Sequence, residues 1–289
     1  MTISYRLECG QSTVLRAAAI AAFCIAAAPA QAQITRGFIG AHEYSLPDPA
    51  GMKPWNVFVE YSTLQFTDQA WNASGNKVSV GKAEVLVSLS KFVHFWEVTP
   101  GVGIAMELIV PKVGIRDKAG LGAGSASGFA DPIVGPAFWI KPSANWTLGT
   151  DMFFVQIPIG DKDVGGGKRW NAIASVFWDG QFDKINWTGN IGTTLFGKGD
   201  DGSKPGTSLY VNNRLGYRVS QLVEPYIGID YERQQAKNGA PSNHEWGAAF
   251  GAMFYALDKG HISVHYQKGF KGENRSVSDN LNLRFAYVF

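Results

Sequence analysis

The last nine residues, Leu281 to Phe289, put apolar side chains at every odd position and end on phenylalanine. A strand in a soluble core hides its apolar face under a second layer. A strand that crosses a bilayer shows that face to lipid and turns the other toward a polar lumen. The pattern predicts Leu281, Leu283, Phe285, Tyr287 and Phe289 against lipid, with Asn282 and Arg284 inside. Phe285, Tyr287 and Phe289 are the expected signal read by the barrel-assembly machinery, Phe289 being the terminal lipid-facing residue.

The same rhythm recurs along the chain in about 12 segments long enough to span at a tilt. They run from Trp55 to Phe66, Lys82 to Phe92, Gly101 to Val110, Asp131 to Ile140, Trp146 to Ile157, and Arg169 to Asp179. The second half continues with Lys184 to Phe196, Ser208 to Val219, Val223 to Arg233, Glu245 to Ala256, His261 to Gly269, and Asp279 to Phe289. In the third segment Val102, Ile104, Met106, Leu108 and Val110 share one face against Gly103, Ala105 and Glu107. The expected fold is all-β: a transmembrane antiparallel barrel of about 12 strands. No run reaches the 18 or more apolar residues that a spanning helix needs, and alternation keeps the hydropathy near neutral.

The N-terminus sets the compartment. Arg6 and Arg16 precede an apolar run from Ala17 to Ala28, followed by Ala30-Gln31-Ala32, the small residues that a signal peptidase reads. The expected organisation is a signal peptide at 1–32, a periplasmic or lumen-entering segment at 33–52, and the barrel at 53–289. Cys9 and Cys24 both fall in the leader, so the exported part has no disulfide, thiolate metal site or cysteine nucleophile. Losing Arg6, Arg16 and Glu8 turns 26 basic and 24 acidic residues into 24 and 23, a net charge of +1 that implies no nucleic-acid partner.

Connections alternate in length. Short links, such as Lys141 to Asn145 and Leu257 to Gly260, are separated by long polar ones at Gly160 to Gly167, Lys198 to Gly206 and Gln234 to Pro241. That is the rhythm of short periplasmic turns and long extracellular loops. Trp170 and Trp178 share an outward face eight residues apart. This is roughly 26 Å along a strand and roughly 20 Å of height at a tilt of about 40°, close to the spacing of two aromatic girdles.

The stretches Gly128-Phe129-Ala130-Asp131-Pro132-Ile133-Val134-Gly135-Pro136 and Tyr44-Ser45-Leu46-Pro47-Asp48-Pro49-Ala50-Gly51 resemble the outer-membrane proteins of the meta-pathway of phenol degradation. The resemblance implies a transporter-like barrel associated with aromatic or hydrophobic compounds, with no catalytic residues to carry over.

Other motifs read as surface or lumen polarity. His261-Ile262-Ser263 is similar to the histidine–serine pair of outer-membrane phospholipases, but alternation turns His261, Ser263 and His265 to the lumen, away from lipid. Gly120 to Gly124 has no strand and helix around it, so it reads as an outer loop and not a dinucleotide site. Asp161, Asp163, Asp200 and Asp201 lie among lysines without a full calcium ligand set. Asn72, Asn145 and Asn186 begin glycosylation triplets that a bacterial outer membrane would rarely use.

Function is expected in the lumen. About 12 strands give a backbone diameter of roughly 24 Å, which inward side chains narrow to a small pore or gated cavity. The expected lining combines Phe58, Phe177, Tyr210, Tyr226 and Tyr255 with Glu60, Glu84, Glu107, Asp151, Arg214, Arg218, Asp230, His265 and Arg284. Arg218 is expected opposite Glu224, and Arg214 one pleat higher beside Tyr226 and Asp230. Removing Arg214 is expected to change flux while leaving folding largely intact. Aromatic walls with a few charges suit small amphipathic solutes. The expected protein is a passive channel for small hydrophobic or aromatic compounds, without cofactor, metal or covalent chemistry, in contact with outer-membrane lipid. The alternatives are a general narrow porin or nucleoside-type channel, and a structural barrel whose loops bind a surface partner.

Overall fold

The computed structural model describes residues 38–46, 54–119 and 124–289. The leader with Cys9 and Cys24, residues 47–53 of the N-terminal segment, and residues 120–123 of the glycine-rich loop lie outside the described residues.

Twelve long strands form one closed antiparallel barrel. They are β1 (Trp55–Trp71), β2 (Lys77–Thr99), β3 (Val102–Ala119), β5 (Ile133–Ser143), β6 (Trp146–Gln156), β7 (Asn171–Phe182), β8 (Ile185–Phe196), β9 (Ser208–Tyr217), β10 (Val223–Gln234), β11 (Asn243–Leu257), β12 (Gly260–Glu273) and β14 (Asp279–Val288). Two short strands, β4 (Ala126–Phe129) and β13 (Arg275–Ser276), extend the wall at its outer rim by pairing with β3 and β1. Each long strand pairs with its neighbours in order, and β1 closes the ring by pairing with both β2 and β14. At the seam, the Asn56 and Phe289 amides each donate to the other's carbonyl, at 2.8 and 2.9 Å. The C-terminal residue is thus part of the ladder.

Strands β1 to β3 run beyond their expected ends: 17, 23 and 18 residues, enough to carry the wall past the lipid on the outer side. Their first outer connection, Asn72 to Asn76, is correspondingly short. The outer links between β6 and β7 and between β8 and β9 are long and tied down locally. Asp131, fully buried, accepts the Gly160 and Gly167 amides at 2.9 and 2.7 Å, which pins the loop between β6 and β7 over the start of β5. Asp161 accepts the Phe129 amide at 2.8 Å, and Asp201 accepts from Ser203. Asp131 thus satisfies partly buried backbone donors, while Asp161 and Asp201 fix exposed turns.

The outer surface is apolar and rimmed by aromatics. Trp146, Trp178 and Trp187 cluster toward the periplasmic turns, with Trp187 5.9 Å from Trp146 and 5.7 Å from Trp178 between ring centroids. Phe289, 56% exposed, joins the same rim beside Tyr287 and Phe92. Phe153, Trp170 and Phe270 stand exposed nearer the outer ends of their strands. Two aromatic rims around an apolar band are the bilayer signature of an outer-membrane barrel.

Candidate permeation site

The inner face has two unlike halves. From β8 to β14 it is polar, with Asn186, Thr188, Asn190, Thr194, Asn212, Asp230, Glu232, Gln267 and Asn282 buried along it. From β1 to β5 it is largely apolar: Val59, Tyr61, Val87, Leu89, Val93, Ala105, Val113, Ile133, Ala137 and Trp139 are buried there.

Residues Phe38 to Leu46 lie inside the barrel and use both halves. Phe38 packs into the apolar wall with Val59, Tyr61, Val87, Leu89 and Val113. Ala41 packs with Tyr226 and Met253 on the other side. The backbone carbonyl of Ile39 accepts a bond from Arg214 Nε at 3.0 Å, and the His42 amide donates to Asn186 Oδ1 at 3.1 Å. His42 Nε2 lies 2.9 Å from Glu224 Oε2, and its Nδ1 lies 3.9 Å from Asp179. Glu43 pairs with Arg284 at 2.9 Å and accepts the Tyr61 hydroxyl. Tyr44 stacks on Phe177, centroids 4.4 Å apart and planes 13° from parallel. At Gly40 the segment passes close to β12, where a Cβ would stand 2.8 Å from Ser263 Oγ and 3.5 Å from its Cβ.

Two cavities lie between the apolar wall and the strands that face it across the lumen. One, about 110 Å³, lies beside Phe38, Tyr61, Ile109, Ile133, Phe154, Ile173 and Tyr210. The other, about 90 Å³, lies between Leu46, Val57, Val93, Phe95, Trp139, Phe177 and Val288. Glu43, Tyr44, Lys91 and Glu107 border both, so they form the partition between them. Lys91 Nζ and Glu107 Oε2 are 2.6 Å apart in that partition.

The structure places eleven of the expected lining residues inside, among them Phe177 against Tyr44 and Tyr255, whose hydroxyl donates to Glu224 at 2.9 Å. Glu107, Asp151 and Tyr210 border the first cavity. Arg214 and Asp230 are a fully buried pair at 2.6 Å on the polar wall, and Arg284 holds Glu43. Tyr226 and His265 bond to each other at 3.0 Å. Arg218 sits at the periplasmic mouth, 3.4 Å from Glu224 and 3.9 Å over the Tyr255 ring.

Glu60 and Glu84, with Phe58, are corrected to the outer face. In β1 the buried inner positions are Val59, Tyr61, Thr63 and Gln65, and in β2 they are Ala83, Val87, Leu89 and Val93. Assigning polar residues inward presumes a watery lumen. Here the inner wall wraps Phe38, so apolar residues take the inside and Glu60 falls outside, where Ser90 Oγ donates to it at 2.6 Å. Glu84 pairs with Lys118 on the same outer surface.

Residues 38–46 belong to the segment expected to be periplasmic or lumen-entering, and the contacts they make inside the barrel are what reading by strands misses. A signal for them exists in Arg284, whose cross-strand neighbours Tyr61 and Ser263 offer no acid. An inward guanidinium so placed needs a carboxylate from elsewhere, and Glu43 supplies it.

Comparison with known proteins agrees with this architecture. The family model described as "Putative MetA-pathway of phenol degradation" matches residues 67–285. No curated protein matches the chain. Among solved structures, the chain is similar to the COG4313 outer membrane channel from Pseudomonas putida F1, with a TM-score of 0.73 at 18% identity over 84% of this chain and 100% of that one. It is also similar to the β domain of the Bordetella autotransporter BrkA, with a TM-score of 0.53 at 12% identity over 82% of this chain and 99% of that one. At these identities the likeness is one of fold, and one such barrel serves different functions.

Proposed function

Since the chain belongs to the MetA-pathway phenol-degradation family, we propose that it is a passive outer-membrane channel for small hydrophobic or aromatic compounds. The observation that carries this reading is the pair of cavities stacked between the apolar wall of the lumen and the strands that face it. A solute that moves by partitioning needs a continuous apolar surface and little else, because its transfer from water is favourable by about 25 cal/mol per Å² buried. The β1–β5 wall offers such a surface, and the polar half holds the N-terminal segment against the opposite side.

Tyr44 and Glu43 divide the two cavities, so passage requires local displacement of this segment or rotation of the Tyr44 ring. Side-chain and loop motions on nanosecond to microsecond scales are sufficient for a passive channel. The similar Pseudomonas putida protein is itself described as an outer membrane channel. Phe285, Tyr287 and Phe289 serve in this reading as the assembly signal.

The test is solute flux in vesicles reconstituted with the folded barrel. Toluene and phenol are expected to enter faster than through protein-free vesicles, with little entry of sugars of similar size. Equal flux of sugars and aromatics would replace this reading with a general porin, and no flux of either would leave a structural barrel.

A further inference from the structure

We infer that the cavity beneath Phe38 is a binding site for the protonated amino group of a small apolar amine, with Asp151 as its counter-ion. This inference rests on the channel reading and narrows its solute class. The cavity holds about 110 Å³. An apolar engineered cavity of about 150 Å³ accepts benzene, so a single ring or short chain is the right scale once Tyr44 or Phe38 yields slightly.

The charges around the cavity do not balance. Three carboxylates, Glu43, Glu107 and Asp151, border it. Arg284 lies 2.9 Å from Glu43, and Lys91 lies 2.6 Å from Glu107. Asp151 has no cation within 4.0 Å among the described residues; Ser175 Oγ donates to it at 2.7 Å. A carboxylate held between apolar walls is poorly solvated and gains most from a cation brought to it. Tyr210 and Phe154 add aromatic rings to the lining, a residue type to which an ammonium group is attracted.

The backbone is built to put this carboxylate there. The β6–β7 ladder breaks between Asp151 and Phe154, and the β5–β6 ladder breaks at the same level between Val134 and Phe138. Regular alternation from Asp151 would bring residue 153 inward. The irregularity sends Phe153 to the outer face, 64% exposed, and sets Phe154, 5% exposed, beside Asp151 in the cavity. Bulges re-aim side chains in this way next to functional sites.

The experiment measures block of ion current through single barrels in planar bilayers by benzylammonium, with benzoate and benzyl alcohol as controls. Benzylammonium is expected to block at concentrations at least tenfold below either control. Asp151→Asn is expected to remove that preference. Ser175→Lys, which places an ammonium directly across the ladder from Asp151, is expected to remove it as well. Equal block by benzylammonium and benzyl alcohol in the unaltered protein overturns the inference. So does an undiminished preference in whichever of the two variants folds. Toluene flux through the unaltered barrel is measured in parallel. Its absence overturns the channel reading, while a charge-selective block would still stand for the site.

Discussion

Arg214 gives the sharpest test of how the lumen is held. Its side chain is fully buried, with Nη1 2.6 Å and Nη2 3.1 Å from the two Asp230 oxygens and Nε 3.0 Å from the Ile39 carbonyl. The expectation from alternation alone, that Arg214→Ala changes flux and leaves folding intact, is therefore revised. Truncation leaves Asp230 fully buried with its charge unpaired, held by the bond from Gln267 Nε2 at 2.6 Å. Breaking one side of a buried pair costs about 3–5 kcal/mol, and lumen water that reaches the vacated space brings the expected loss to the low end, about 3 kcal/mol. Replacing both partners by apolar groups, as in Arg214→Met with Asp230→Leu, removes the stranded charge and is expected to recover most of that loss. The assay is the urea dependence of heat-modifiable mobility in lipid vesicles, run as a double-mutant cycle. Single variants each costing under about 1 kcal/mol, with additive effects in the double, would show that the pair is hydrated and refute the reasoning. The lost bond to Ile39 adds a second readout, since conductance should rise in Arg214→Ala as the N-terminal segment loosens.

Two further predictions test the segment and the seam. Gly40→Leu puts a Cβ 2.8 Å from Ser263 Oγ and 3.7 Å from the Tyr226 hydroxyl oxygen. It is expected to lift residues 38–46 off the polar wall and increase single-channel conductance severalfold, and an unchanged conductance would show that this segment does not limit passage. Phe289→Asp places a charge in the periplasmic aromatic rim at the residue whose backbone closes the ring onto Asn56. It is expected to cut the yield of folded barrel in the outer membrane severalfold while export across the inner membrane continues, and a normal amount of heat-modifiable barrel would contradict that.

The strands were legible because lipid imposes one rule on every outward face. On β9 that rule places Leu209, Val211 and Leu215 outside and Tyr210, Asn212 and Arg214 inside, as the structure has them. It fails on β1 and β2, where both faces carry apolar residues and alternation leaves the phase undetermined. There Glu60 looked like a lumen residue, because a carboxylate facing lipid is costly. What decides the phase is Phe38, about 20 residues upstream in sequence and outside any strand, whose ring needs Val59, Tyr61, Val87 and Leu89 around it. A pattern confined to strands carries no trace of that contact.

The two halves of the lumen follow from the same cause. A barrel of this size filled by its own polar side chains would pair its charges and seal, as the buried Arg214 and Asp230 do. One lined evenly by apolar residues would leave a dry void with nothing to hold an internal segment in place. Here the polar wall binds residues 39–43 through Arg214, Asn186, Glu224 and Arg284, and among the described residues the apolar wall's hydrogen bond to that segment is the one at Tyr61. Glu43 is both an anchor, through Arg284, and a border of the two cavities, so the part of the partition free to shift while the anchors persist is the Tyr44 ring on Phe177. Charge changes on the polar wall should act on segment release, and size or charge changes at Tyr44, Lys91 or Asp151 should act on which solute passes.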